Sequence, residues 1–143
     1  MILKRLKIES TTESYTNCYI IEDEDIKEAM VIDPAGEPEK IIETLELLDT
    51  KVKYIYLTHC HADHTSGLEE VKKQTGGTIL IYRTEYDNLK NPDVNLSHLI
   101  GMKNVEIDAD ARVDDGDKLH VRKLRIYSNS YSRAYMPEEV HCI

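Results

Sequence analysis

The chain has 143 residues, 41% hydrophobic and 31% charged, which suits one globular domain with a single core and leaves no room for a second. Its formal net charge of -9, with no run of Lys or Arg longer than two residues, repels a phosphate backbone and argues against nucleic acid as a partner. Trp and Phe are absent, so the core must come from Ile, Leu and Val, with nine Tyr supplying the aromatic surface.

The opening Met1-Ile2-Leu3-Lys4-Arg5-Leu6-Lys7 is too charged for a signal peptide, and no stretch approaches the length of a membrane span. The three cysteines, Cys18, Cys60 and Cys142, are odd in number and lack C-x-x-C spacing, which argues against a disulfide framework and a zinc ribbon. The expectation is a cytoplasmic protein with free thiols and no membrane contact.

Leu3 to Glu9 alternates apolar and polar residues, and Asn17–Ile21 and Ala29–Ile32 are apolar runs separated by the acidic turn Glu22-Asp23-Glu24-Asp25. These predict three strands in a meander. Asp33-Pro34-Ala35-Gly36 stops the third, and Pro38 sits in the first turn of a helix, where its missing N–H costs nothing. Ile41, Ile42, Leu45 and Leu48 share one face of that helix. Val52–Leu57 is apolar on both faces, as in a strand buried within a sheet. A His-rich segment follows at once, then a second amphipathic helix with Leu68 and Val71 ending at Gly76-Gly77, and a strand at Thr78–Tyr82.

From Arg83 to Ala111 the pattern weakens: Asn91-Pro92-Asp93 reads as a turn, Asn95-Leu96-Ser97 as the start of a short helix and Val105-Glu106-Ile107 as a brief strand. Asp114-Asp115-Gly116-Asp117 is a tight turn leading into a strand with Leu119, Val121, Leu124 and Ile126. Strands alternating with helices predict an α/β fold, with chemistry at the carboxyl end of a strand.

That chemistry lies in Thr58-His59-Cys60-His61-Ala62-Asp63-His64. In extended backbone, residues two apart point the same way, so His59 and His61 can converge on one ion. Asp63 and His64 turn the other way as the helix begins and can serve a second. Imidazole and carboxylate suit Zn²⁺ and also Fe or Mn. Asp63 can additionally orient a metal-bound hydroxide, which coordination makes available at a pKa of roughly 7. A plain solvated loop is the simpler alternative, but H-x-H-x-D-H between a buried strand and a helix is far more restrictive than a lone His. Alternation turns Cys60 away from His59 and His61, so it is expected to pack as a small hydrophobe.

These residues resemble the metallo-β-lactamase superfamily, whose signature T-H-x-H-x-D-H-x-x-G is matched by Thr58, His59, His61, Asp63, His64 and Gly67. Thr16-Asn17-Cys18-Tyr19, Val31-Ile32-Asp33-Pro34-Ala35-Gly36 and Asp115-Gly116-Asp117 add to the likeness, and Asn95-Leu96-Ser97 after Asn91-Pro92 is similar to small glyoxalase II-like hydrolases. The resemblance implies the N-terminal half of an αββα sandwich, a mixed sheet with helices on its outer face. It implies His59 and His61 as ligands of a first metal and Asp63 and His64 as ligands of a second, with two zinc ions in a complete site. Asp33 would be a carboxylate near the site, or equally a turn residue before Pro34. The implied reaction is hydrolysis of a small-molecule thioester or ester by a metal-bound hydroxide. A nuclease would need contacts that the acidic charge does not supply.

The likeness covers about residues 1–126. The T-P-G-H-T turn that carries a later His in the family is absent, and Ser128–Met136 reads differently. Encoded as AGT AAT TCA TAC TCC CGG GCA TAC ATG, however, that stretch reads V-I-H-T-P-G-H-T from the second base. Residues 127–143 are therefore expected to be an out-of-frame tail behind a shortened domain at 1–126. Two readings follow: a glyoxalase II-like metallo-hydrolase, or a truncated, non-catalytic domain that binds metal weakly or not at all and self-associates through an uncovered sheet face.

Overall fold

The computed structural model describes residues 1–11, 14–121 and 124–127. The predicted meander is present as β1 (Ile2–Thr11), β2 (Ser14–Asp23) and β3 (Glu28–Ile32), paired antiparallel with Leu6 opposite Cys18 and Tyr19 opposite Ile32. β1 forms one sheet edge, and its exposed Lys4, Arg5 and Lys7 discourage further strand pairing.

After β3 the strands become parallel, because each crossover now carries a helix or a long excursion. Helix α1 (Pro38–Leu48) buries Ile41 and Leu45 and ends at Asp49, which takes a left-handed φ of 51°. Next come β4 (Lys51–Leu57), the single turn α2 (Ala62–Thr65) and α3 (Leu68–Thr75), which buries Leu68 and Val71. Gly76, at φ +67°, caps α3 in the conformation only glycine adopts without cost, and β5 (Thr78–Tyr82) follows. The excursion after β5 contains a 3-10 turn (Arg83–Glu85) and α4 (Ser97–Ile100), and returns to the sheet as β6 (Ala111–Val113). The sheet order is β1-β2-β3-β4-β5-β6.

Two expectations are corrected. Val105-Glu106-Ile107 is irregular: Val105 is buried, and the Glu106 N–H donates to Glu69 Oε1 at 2.7 Å, so the segment runs against α3 and does not join the sheet. The single strand expected through Leu119, Val121, Leu124 and Ile126 is a pair, β7 (Lys118–Val121) and β8 (Leu124–Tyr127), antiparallel with Val121 opposite Leu124. Arg122-Lys123 between them carries none of the Gly, Asn or Asp signals that mark a hairpin.

The sheet separates two apolar clusters. On the helix side Ile8, Ile20, Ile41, Ile55, Leu57, Leu68, Ile79 and Ile81 are buried together. On the other side Ile21, Met30, Ile32, Tyr56, Leu80 and Val113 pack with Leu119 of β7, and none is more than 8% exposed. β7 lies on part of that face, where Lys53 Nζ donates to the His120 carbonyl at 2.9 Å. The architecture is the expected mixed sheet with helices on one face. No helix among the described residues is long and apolar enough to cross a membrane. Cys18 and Cys60 are buried and not joined by a disulfide, while Cys142 and all of the proposed tail at 127–143 except Tyr127 lie outside the described residues.

Candidate metal centre

Strands β3 and β4 run parallel with Ile32 beside Tyr56, so Asp33 and Thr58 emerge next to each other at the carboxyl end of the sheet. The Asp33 N–H completes the ladder by donating to the Tyr56 carbonyl at 3.0 Å. Asp33 then turns the chain at φ +52°, a left-handed conformation that Asp tolerates better than most side chains. Its buried carboxylate is fully engaged. Oδ1 accepts the Thr58 N–H at 2.8 Å, and Oδ2 accepts the Thr58 hydroxyl at 2.7 Å and lies 3.0 Å from His64 Nδ1.

These bonds fix two tautomers. The Thr58 hydroxyl gives its one proton to Asp33, so at 2.9 Å from His59 Nδ1 it must accept, which places the proton on Nδ1 and leaves the His59 Nε2 lone pair free. An Nδ1–H of His64 donates likewise to Asp33, which aims its Nε2 away from the carboxylate, 3.5 Å from Asp63 Oδ2. Asp63 also accepts from Thr16 Oγ1 of β2 at 3.4 Å. His61 leads into α2 with extended torsions, φ −59° and ψ 136°, and its ring meets the His59 ring edge-on at 4.7 Å between centroids. The His59 ring is closer to His64, at 4.2 Å.

Gly67 locks this loop to the Asp33 turn. Its N–H donates to the Pro34 carbonyl at 2.9 Å, and a Cβ there would fall 2.1 Å from the Ala35 carbonyl oxygen, so only glycine allows the two backbones to touch. The signature glycine is thus a packing requirement.

Of the four residues singled out from the sequence, His59 and His64 come together with Asp33, while His61 and Asp63 lie beside that group, His61 through its ring contact with His59 and Asp63 through its 3.5 Å approach to His64 Nε2. Potential ligand atoms of Asp33, His59 and His64 lie within 4.8 Å of one another. Asp33 proves to be both a turn residue and the carboxylate of the site. With both oxygens already accepting hydrogen bonds it is better suited to orient His59 and His64 than to ligate. Cys60 is 1% exposed, as expected of a small hydrophobe. Sequence reasoning assigns no role to Thr16 or to the Thr58 hydroxyl and does not single out Glu85, which accepts the Cys60 N–H; a lone acid 25 residues away carries no local signal.

Electrostatics separate the two histidines. Burial, followed by the charge of neighbouring His64, holds the His59 imidazole below its ordinary pKa of 6.5, so it is neutral and ready to donate a lone pair. Burial also pulls His64 down, but the hydrogen bond and charge of Asp33, together with Asp63, outweigh it and raise its pKa. Imidazoles whose Nδ1 protons are held by a hydroxyl or a carboxylate, beside a second carboxylate, are the donor chemistry of a zinc or related transition-metal site. The residues present fit such an ion.

A family profile described as the metallo-beta-lactamase superfamily matches residues 11–127. The chain belongs to that superfamily. Among solved structures it resembles the BLEG-1 B3 metallo-beta-lactamase, with a TM-score of 0.74 and 24% identity, covering 88% of this chain and 59% of that one. It also resembles ETHE1 from Myxococcus xanthus, with a TM-score of 0.61 and 25% identity, covering 87% of this chain and 46% of the other. Similar curated proteins include a probable polyketide biosynthesis zinc-dependent hydrolase, PksB of Bacillus subtilis, 36% identical over 81 residues, or 56% of this chain and 36% of the relative. Hydroxyacylglutathione hydrolase GloC of Haemophilus influenzae is 38% identical over 74 residues, or 52% of this chain and 34% of the relative. The matched segments thus span about a third of these two curated relatives.

Proposed function

We propose that this chain carries the metal-binding part of a hydrolase site that acts on small thioesters or esters. The observation that carries the reading is the pre-set cluster of His59, His61, Asp63 and His64 behind the Asp33–Thr58 hydrogen bonds. His59 and His61 would hold one zinc ion, and Asp63 and His64 a second or the same one. When bound, zinc would polarise a carbonyl and lower the pKa of a coordinated water to roughly 7. The residues present do the positioning. Asp33 fixes the His64 ring and, through the Thr58 hydroxyl, the His59 tautomer, while the partly exposed Asp63 would be the group to accept a proton from water. The thioester class is supported by the hydroxyacylglutathione hydrolases among the relatives. A small-molecule substrate, as opposed to nucleic acid, accords with the net charge of -9.

A second reading keeps the metal and drops the reaction. It is favoured because, among the described residues, every candidate ligand of the cluster comes from the turn after β3 or from the segment between β4 and the end of α2. Zinc titration monitored by elemental analysis, combined with thiol release from a hydroxyacylglutathione thioester, separates the two. Bound zinc with thiol release supports the hydrolase, bound zinc without release leaves a metal-binding domain, and no bound zinc refutes the hydrolase and leaves a truncated domain that binds no metal.

A further inference from the structure

Cys60 and Ala62 flank His61, and the backbone N–H of each is held by a segment far along the chain. The Cys60 N–H donates to Glu85 Oε2 at 3.3 Å, and the Ala62 N–H to the Asn95 carbonyl at 2.8 Å. Both anchors are interior: Glu85 is 6% and Asn95 0% exposed. A carboxylate at that depth is stable only with polar partners, so the placement of Glu85 against this backbone is specific. Asn95 is itself immobilised. Its amide donates to the Leu89 carbonyl at 2.8 Å and to Asn104 Oδ1 at 2.7 Å, and its Oδ1 accepts the Ser97 N–H at 2.9 Å.

The other histidines are held differently. His59 and His64 are fixed through their own ring nitrogens by Thr58 and Asp33. Among the described residues the His61 ring has no hydrogen-bond partner; it touches the His59 ring, and its place follows from where its backbone is pinned. The cluster therefore has two separate supports.

We infer that Glu85 and Asn95 are positioning residues that set His61 for the metal, independently of the Asp33–Thr58 pair that sets His59 and His64. This rests on the metal reading above. Loss of the latch removes one donor from the set and leaves the others in place, and outer supports of this kind typically carry about 10-fold to 100-fold in metal affinity.

The test uses Glu85→Met, which keeps volume and removes the acceptor, Glu85→Gln, which keeps an acceptor oxygen, and Asn95→Ala, which leaves the backbone carbonyl that accepts the Ala62 N–H but removes the side-chain bonds that hold it in place. Zinc affinity is read by competition with a chromophoric chelator, and amide hydrogen exchange is followed in the metal-free proteins. Zinc should bind about 10-fold or more weakly to Glu85→Met and Asn95→Ala, and nearly normally to Glu85→Gln. Without metal, exchange should accelerate at Cys60 in Glu85→Met and at Ala62 in Asn95→Ala, while Thr58 and Ile55 keep their protection. Unchanged exchange at Cys60 and Ala62, or equal loss at Thr58 and Ile55, overturns the inference. A wild-type chain that binds no zinc overturns the metal reading instead, and the exchange pattern still decides whether the latch governs His61.

Discussion

From Ile2 to Tyr82 the chain is five strands and three helices whose buried side chains are mostly aliphatic, whereas from Arg83 to Val113 it holds one 3-10 turn, one helical turn and a three-residue strand, and its interior includes Glu85, Asn95 and Ser97. The first region is stabilised mainly by apolar area, which is non-directional and forgiving of shape. The second is tied by directed bonds such as Asn104 Nδ2 to the Lys90 carbonyl and Asn95 to Leu89, which tolerate no exchange of donor for methyl. Each region contributes to the site in its own manner: aliphatic strands deliver the histidines, and the polar excursion pins the loop that carries them.

Truncating the aliphatic region should have the largest effect. Ile81 is 0% exposed, and Ile81→Ala should cost about 3–4 kcal/mol in urea unfolding, while Ile81→Val costs about 1. The polar region should invert that tolerance. Asn104→Leu, apolar and similar in size, removes the partners of Asn95 Nδ2, Ser97 Oγ and the Lys90 carbonyl, and should cost about 2 kcal/mol by the same assay. A loss no larger than that of Ile81→Val would erase the distinction between the regions.

The smallest effect belongs to their seam, where Asp110 accepts the Ile79 N–H at 2.7 Å and Lys72 Nζ at 2.9 Å. The Ile79 N–H first, then Lys72, hold its carboxyl below the ordinary value of 3.8. A depressed folded pKa means that the stabilisation is present above about 3.8 and is lost as pH falls through the folded value. Asp110→Asn should therefore be slightly less stable than wild type at pH 6, with the gap closing below pH 3.8 in thermal melts at low salt, because the pair is solvent-screened. A gap that persists at low pH would assign the effect to the amide's geometry.

Legibility in the sequence follows the same division. The strand read at Thr78–Tyr82 has those bounds, and α3 ends at Gly76, because aliphatic periodicity and a left-handed glycine are local signals. His59, His61, Asp63 and His64 were legible as a group because their spacing is dense and unusual. What escaped is what depends on distant partners. β6 has three residues, two of them exposed, too few to show an alternation. The Thr58 hydroxyl acquires its role only when parallel pairing places Asp33 beside it, and Glu85 only when the excursion folds back. The break between β7 and β8 lacks turn residues altogether. The out-of-frame tail is a matter for the gene: sequencing through codons 118 to 137 should reveal T-P-G-H-T in a shifted frame, and real codons that cannot encode it would end that idea.

The strand order β1-β2-β3-β4-β5-β6 also bears on how the chain assembles. No strand is inserted between two earlier ones, so a chain made from its N-terminus meets each new edge with the preceding strand already available, and the sequence separations to be closed stay short. The turn holding His59 and His64 can form once β4 docks on β3. His61 must wait for Glu85 and Asn95, so the donors of one ion site would be completed at different moments of folding.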